Sequence, residues 1–319
     1  PSTRRWPGET HDKALAKRTG IKRPWLYTAD PRPFRLTTDV EGGAANLAVF
    51  GATGSGKSTF VNVLGLQFQA CPDAQIISLS VGRSELGPCV LSGGAVYSIG
   101  AHKSPLAFQP LAHIDQPDEM RFAAEWLEMC LQSTGISVTP PQRTRLQEAL
   151  AALATSPQKQ RTITSLRTDL KNRDPALCAA LEPFSRAGLY GHIFDGDSAG
   201  ALGWKRWTMF DISHLLKETV PAWVTEASVS VLLHLVTARF TGQPTLLLCD
   251  EYPRYLKHDR LTAGLISTLD TQRKNHVRVV LAAQNPQQLA DYPNLVASVQ
   301  GACPVRVYGA DTSAKSELG

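Results

Sequence analysis

Residues 51–58 read Gly-Ala-Thr-Gly-Ser-Gly-Lys-Ser, and this stretch constrains the chain more than any other. It matches G-x-x-x-x-G-K-[ST] in full, and its flanks match as well. Asn46 to Phe50 is a short apolar run of strand type, after which Phe60, Val61, Val63, Leu64 and Phe68 recur at helical spacing. Strand, glycine-rich loop and helix in that order predict a phosphate-binding loop. Glycines let the backbone wrap with its N–H groups pointing inward, and the helix N-terminus adds the positive end of its dipole. The expected nucleotide contacts are Gly51, Ala52, Thr53, Gly54, Ser55, Gly56, Lys57, Ser58 and Thr59. Lys57 is placed for the β and γ phosphates, Ser58 for Mg²⁺ and Thr59 for the α phosphate. A glycine-rich turn that merely contains lysine is the alternative, and the flanking elements weigh against it.

The remaining apolar runs extend the pattern. Ile76–Val81, Trp207–Ile212, Thr245–Cys249, Val277–Ala283 and Pro304–Tyr308 have strand length, while Pro221–Gly242 and Leu261–Lys274 are helical. Val96–Ile99, after the Gly93-Gly94 turn, reads as a strand pair or edge hairpin. Between Pro117 and Arg186 the character is helical. Phe122, Trp126, Cys130 and Leu131 mark one amphipathic helix, Leu146, Leu150 and Leu153 a second, and Asp174-Pro175 opens a third as N-cap and first residue. Thr139-Pro140-Pro141, Ser156-Pro157 and Asn172 read as breakers between them. Alternating strands and helices predict an α/β fold, a P-loop NTPase (RecA-like) with a mostly parallel sheet, helices on both faces and an all-α insertion. The expected division is an extension at 1–30, the core at 31–115 and 190–319, and the insertion at 116–189.

That topology gives the later strand ends their meaning. Leu246-Leu247-Leu248-Cys249-Asp250-Glu251 closes a buried-type strand with two acids. Asp250 is expected to hold Mg²⁺ and Glu251 to take a proton from the attacking water, although an acidic pair at a strand end can also be simply solvated. Gln284 ends the next strand and is a candidate γ-phosphate sensor or, before Pro286, a capping residue. A loose phosphoryl transition state calls for extra positive charge, for which Arg273 is the first candidate, with Arg254 and Arg306 as alternatives. His113, His214 and His258 lack ligand spacing, and Trp126, Trp204, Trp207 and Trp223 suit a core or docking surface better than base stacking.

Composition excludes other classes. The 319 residues are 43% hydrophobic, which suffices for a sizeable core. Six cysteines without a Cys-x-x-Cys pair offer neither a zinc site nor a disulfide framework and fit a reducing cytoplasm. No stretch reaches the ~18 apolar residues of a membrane span; Val229–Phe240 is broken by Ser230, His234 and Arg239. Pro1–Arg23 has no apolar signal core. The abrupt Ser-Glu-Leu-Gly end, just past a strand, suggests a fragment of a longer polypeptide. The net charge of +5 permits an anionic partner without arguing for one.

The phosphate loop, the helical insertion, Leu189–Gly196 (LYGHIFDG), Phe210-Asp211-Ile212-Ser213, Leu248–Glu251 and Leu281–Pro286 occur in this order over about residues 25–310. The combination resembles the C-terminal ATPase domain of the CagE/TrbE-type conjugation and type IV secretion ATPases, within the superfamily of ring-shaped DNA pumps. Two positions depart from the family pattern. Ser78 and Ser80 stand where an Asp is frequent, and Phe108-Gln109-Pro110-Leu111 replaces Phe-Asn-Pro-Leu. The resemblance implies an ATP- and Mg²⁺-dependent hydrolase, hexameric or dimeric, peripheral on the cytoplasmic face of the bacterial inner membrane. It would power pilus assembly and substrate transfer with secretion-channel partners, and the family's large N-terminal domain would be missing from this chain. Two readings stand beside it: a DNA-translocating coupling protein, for which the insertion offers Lys159, Arg161, Arg167, Lys171 and Arg173, and a nucleotide-gated scaffold with little turnover.

Overall fold

The computed structural model describes residues 25–27, 33–36, 39–40, 43–101, 106–197, 202–255, 259–289 and 292–309. Two short antiparallel pairs come first, β1 (Trp25–Tyr27) with β2 (Pro33–Arg35) and β3 (Asp39–Val40) with β4 (Gly43–Ala44). The main sheet then uses seven strands: β5 (Leu47–Phe50), β6 (Gln75–Ser80), β7 (Ala95–Ser98), β8 (Trp207–Asp211), β9 (Thr245–Cys249), β10 (Val277–Ala283) and β11 (Val305–Tyr308). Their order across the sheet is β11-β5-β10-β9-β6-β8-β7, and β11 through β8 run parallel.

Every residue of β5, β6, β8, β9 and β10 is buried. This is why these segments read as continuous apolar runs: a sheet covered on both faces leaves no reason for alternation. One face packs Leu47, Val49, Ile76, Met209, Leu246, Leu248, Val280 and Ala282 against Val61, Leu64 and Phe68 of helix α1 (Lys57–Phe68). Asn46 is fully buried yet satisfied, for its side chain accepts from Val279 N at 3.0 Å and donates to Leu269 O at 3.2 Å. That pair fixes the entry of β5 beside β10.

Of the strand pair or edge hairpin expected at 93–99, the strand is present and pairs at the sheet edge, whereas no hairpin forms across Gly93-Gly94. A short helix α2 (Leu86–Leu91) follows β6, and β7 takes the far edge of the sheet beyond β8. The Gly and Pro inside Leu-Gly-Pro-Cys-Val-Leu hide that helix from periodicity.

The chain divides into two compact units, one comprising 1–96, 204–211 and 236–319, the other 97–203 and 212–235. The second contains the whole expected insertion, 116–189, and extends beyond it on both sides. Its helices are α3 (Pro117–Ser133), α4 (Pro140–Ala154), α5 (Ile163–Arg173), α6 (Pro175–Ala180), α7 (Gly191–Phe194) and most of α8 (Ala222–Thr237). Trp126 explains why α8 joins this unit. Its ring packs against Phe184 and Phe194, and its indole N–H donates to Ala227 O at 3.0 Å. Phe122 stacks on His234, which also meets Glu119. Asp174 caps α6 as expected, accepting from Leu177 N at 3.1 Å. Asn172 does not break a helix; it lies in the last turn of α5. Asp195, from the LYGHIFDG stretch, is buried and accepts from the amides of Ile163, Thr164 and Arg186. It satisfies the N-terminus of α5 from a distance in sequence.

Helix α9 (Asp259–Thr271) ends in a 3₁₀ turn at Gln272–Asn275, and α10 (Pro293–Ala302) precedes β11. None of the six cysteines forms a disulfide, and no described helix is long and apolar enough to cross a membrane.

Candidate nucleotide site

The loop after β5 is shaped by its glycines. Gly54 and Gly56 take φ of 84° and 86°, a region that costs other residues but not glycine. Gly51 is required for space instead, since a Cβ there would stand 2.2 Å from Ser55 Oγ. Gly56 opens α1 without a side-chain cap, and the first turn of α1 has no acid. The free N–H groups and positive dipole end therefore face the loop uncompensated, which is the arrangement an anion binds. Ser55 Oγ is buried there without a hydrogen-bond partner.

The C-terminal ends of β9 and β10 bring the other expected residues to this loop. Lys57 Nζ lies 3.1 Å from Asp250 Oδ1 and 3.1 Å from Glu251 Oε1. Burial alone would push the lysine down, but the Asp250 and Glu251 carboxylates outweigh it and hold Lys57 above its ordinary value. Gln284 Nε2 donates to both Glu251 oxygens, at 3.2 and 3.3 Å. Glu251 itself sits at φ 51°, in the left-handed region. A non-glycine residue held there costs about 1–3 kcal/mol and is kept at sites more than elsewhere. Lys57 and Asp250 are buried, whereas Glu251 keeps 21% of its side chain exposed. Glu251 is therefore the more solvent-accessible of the two carboxylates.

The oxygen donors suit Mg²⁺. Asp250 and half-buried Ser58 offer a carboxylate and a hydroxyl. Among the described residues no group of three or more His, Cys, Asp or Glu could hold a metal by itself. Mg²⁺ fits such a sparse set because it keeps waters and takes substrate phosphates as further ligands.

No side-chain hydrogen bond or ion pair joins Arg254 or Arg306 to these residues among those described. The side chain of Arg273 lies outside the described residues, as does His258. Arg254 is exposed in the turn after Glu251, and Arg306 donates to Gln300 O at 2.9 Å. Of the five basic residues in the insertion, Arg161 bonds Asp115 and Ala112 O, Arg167 bonds Cys178 O and Ser185, and Arg173 pairs with Asp169. These three are occupied in holding the helical unit together. Trp126 and Trp207 are fully buried, in keeping with a core role, and Trp204 lies under Arg239 at 5.2 Å.

Sequence reading missed the loop after β6. Ser84 Oγ donates to Asp250 Oδ2 at 2.5 Å, and Glu85 is buried beside it. Burial, with Asp250's charge adding, pushes the Glu85 carboxyl above the usual carboxylate range. The available signal was a polar run, Arg83-Ser84-Glu85, at the carboxyl end of a strand, where ligand crevices of open α/β sheets lie. Ser78, at a position where an Asp was expected, accepts from Trp207 Nε1 at 2.9 Å and serves the core.

The parallel sheet, the phosphate loop and the carboxylates at the neighbouring strand ends define a P-loop NTPase domain. Within that class the chain is related in sequence to TrbE and VirB4. It is 29% identical to the conjugal transfer protein TrbE of Rhizobium radiobacter over 286 residues, which are 86% of this chain and 33% of that protein. It is 28% identical to the protein VirB4 of Agrobacterium fabrum over 270 residues, 82% of this chain and 33% of the other. The chain thus spans about a third of the length of these curated relatives. The structure of VirB4 from Thermoanaerobacter pseudethanolicus superposes with a TM-score of 0.66 at 16% identity, covering 92% of this chain and 85% of that one. The plasmid coupling protein TrwB, in complex with ADP and Mg²⁺, gives a TM-score of 0.50 at 17% identity, covering 93% of this chain and 77% of TrwB. These two likenesses concern the fold. No family model matches the chain.

Proposed function

We propose that this chain is the ATP-hydrolysing motor domain of a bacterial conjugation or type IV secretion system. The observation that carries the reading is the meeting of Lys57, at the start of the phosphate-loop helix, with Asp250, Glu251 and Gln284, from the ends of two neighbouring strands. The loop amides of residues 51–59 bind the phosphates, and Lys57 exchanges its two carboxylates for the β and γ phosphates. Ser58 and Asp250 would hold Mg²⁺, which when bound neutralises charge on the phosphate oxygens. Glu251 takes the proton of the attacking water, and Gln284 holds that carboxylate in place through its two hydrogen bonds. An arginine, Arg273 first, completes the charge from a neighbouring subunit of a hexamer or dimer. The relatives' names support conjugal transfer or secretion as the setting. In that setting the domain would work on the cytoplasmic face of the inner membrane with channel components as partners. Phosphate release from ATP, measured with and without Mg²⁺ and across protein concentration, tests this. Mg²⁺-dependent release that climbs with oligomer mass supports the motor, and binding without release at any concentration would leave only a nucleotide-gated scaffold.

A further inference from the structure

Asp211, from the Phe210–Ser213 stretch, and the loop after β6 have no part in that scheme, yet they lead directly to its metal-site carboxylate. The loop leaves β6 through two left-handed residues, Gly82 at φ 92° and Arg83 at φ 60°. Arginine in that region is strained and must be held from outside. Arg83 Nε donates to Asp211 Oδ2 at 2.6 Å, and the Asp211 side chain is 1% exposed at the end of β8. One residue on, the Ser84 hydroxyl meets Asp250 Oδ2, while the Ser84 carbonyl accepts from Asn62 Nδ2 of α1 at 3.0 Å. The loop is therefore tied to β8, β9 and the phosphate-loop helix together.

We propose that Asp211, Arg83 and Ser84 form a positioning arm for Asp250, resting on the Mg-ATP reading above. The two carboxylate oxygens are used differently. Oδ1 accepts from Lys57 and from the Glu251 amide, and Oδ2 accepts from Ser84. Arrival of the phosphates draws Lys57 away from Oδ1. Ser84 then keeps Oδ2 engaged, so that the carboxylate does not turn and Oδ1 is the oxygen presented to the cation's shell. The Arg83–Asp211 pair keeps the strained loop where the hydroxyl can do this. These residues act through Asp250 and touch no substrate.

The test is a Mg²⁺ titration of fluorescent ATP-analogue binding to the whole chain, started from EDTA, for wild type, Ser84→Ala, Ser84→Thr and Asp211→Asn. Ser84→Ala should raise the Mg²⁺ needed for half-maximal tightening by about tenfold, the worth of a hydrogen bond to a charged group. Its affinity in EDTA should stay at the wild-type level, while its melting temperature should fall by no more than one lost hydrogen bond costs. Ser84→Thr should restore the Mg²⁺ requirement, and Asp211→Asn should shift it in the same direction by less. Wild-type Mg²⁺ dependence in Ser84→Ala would overturn the proposal, and so would an equal loss of affinity with and without Mg²⁺. If Asp211→Asn does not fold, the Ser84 pair decides alone. A wild-type chain that ignores the analogue at every Mg²⁺ concentration refutes the ATP reading, and this proposal falls with it.

Discussion

Lys57 Nζ stands 3.1 Å from Asp250 Oδ1, so the phosphate-loop lysine and the strand-end aspartate already form a buried ion pair across 193 positions of sequence. Removing one member of such a pair strands the other charge, while removing both relieves the cost. Lys57→Met and Asp250→Asn should each lower ligand-free stability. The double variant should be less destabilised than their sum, with a coupling of about 0.5–3 kcal/mol in a double-mutant cycle followed by urea denaturation. Additive losses would mean the pair is not formed in solution. Lys57→Met should in addition weaken ATP-analogue binding by tenfold or more, on the order of a charge-assisted hydrogen bond.

Gln284 donates to both oxygens of Glu251. Gln284→Ala should therefore reduce turnover by at least about tenfold while leaving nucleotide affinity nearly unchanged, since general-base alignment contributes about 10²–10⁴-fold. A drop in affinity matching the drop in turnover would place Gln284 at the ligand instead.

Gly65 in α1 tests the packing of the core. A Cβ there would lie 2.6 Å from the ring of Trp207, itself buried and hydrogen-bonded. Alanine favours a helix over glycine by about 1 kcal/mol, but overpacking a filled site costs about 1–3 kcal/mol. Crowding should win because the Trp207 indole is tied to Ser78 and cannot easily give way. Gly65→Ala is expected to melt below wild type, and a rise in melting temperature would show that the ring moves.

In the helical unit, Asp174 is one carboxylate whose shift makes stability depend on pH. Burial would raise its carboxyl, but the Leu177 amide and the Arg145 guanidinium outweigh it and hold Asp174 below its ordinary value of 3.8. A depressed carboxyl contributes stability that is present above the unfolded-state value and lost as pH falls through the folded one. Asp174→Ala should cost about 1 kcal/mol at neutral pH through the lost cap. The gap to wild type should stay level from pH 7 to about 5 and close below about pH 3.8, read by tryptophan fluorescence during denaturation. A gap that widens in acid would reverse the assignment.

The parts legible in sequence are those whose signal is local. Thr245–Cys249 and Val277–Ala283 are the observed strands to the residue, because a strand buried on both faces is apolar throughout and is bounded by polar residues. The phosphate loop is a contiguous motif, and Asp250, Glu251 and Gln284 follow from strand ends once a parallel sheet is accepted. What escaped depends on contacts between distant segments. The unit to which α8 belongs is decided by Trp126 and Ala227, 101 positions apart, and an apolar helix carries no mark of the core it will join. The Ser84–Asp250 bond spans 166 positions, and the pairing of Arg83 with Asp211 spans 128. Neither has a spacing rule. The strand after Gly93-Gly94 is present at the sheet edge, but its partner is β8 rather than a hairpin neighbour, because a glycine pair marks a turn without saying which strands it serves.

Whether this site hydrolyses ATP with Glu251 as base is decided by comparing wild type with Glu251→Gln for both ATP-analogue binding and phosphate release in the same samples. Binding should be equal, with release reduced by about 10²-fold or more in the variant. Equal release from both proteins, or loss of binding together with release, would contradict this role of Glu251.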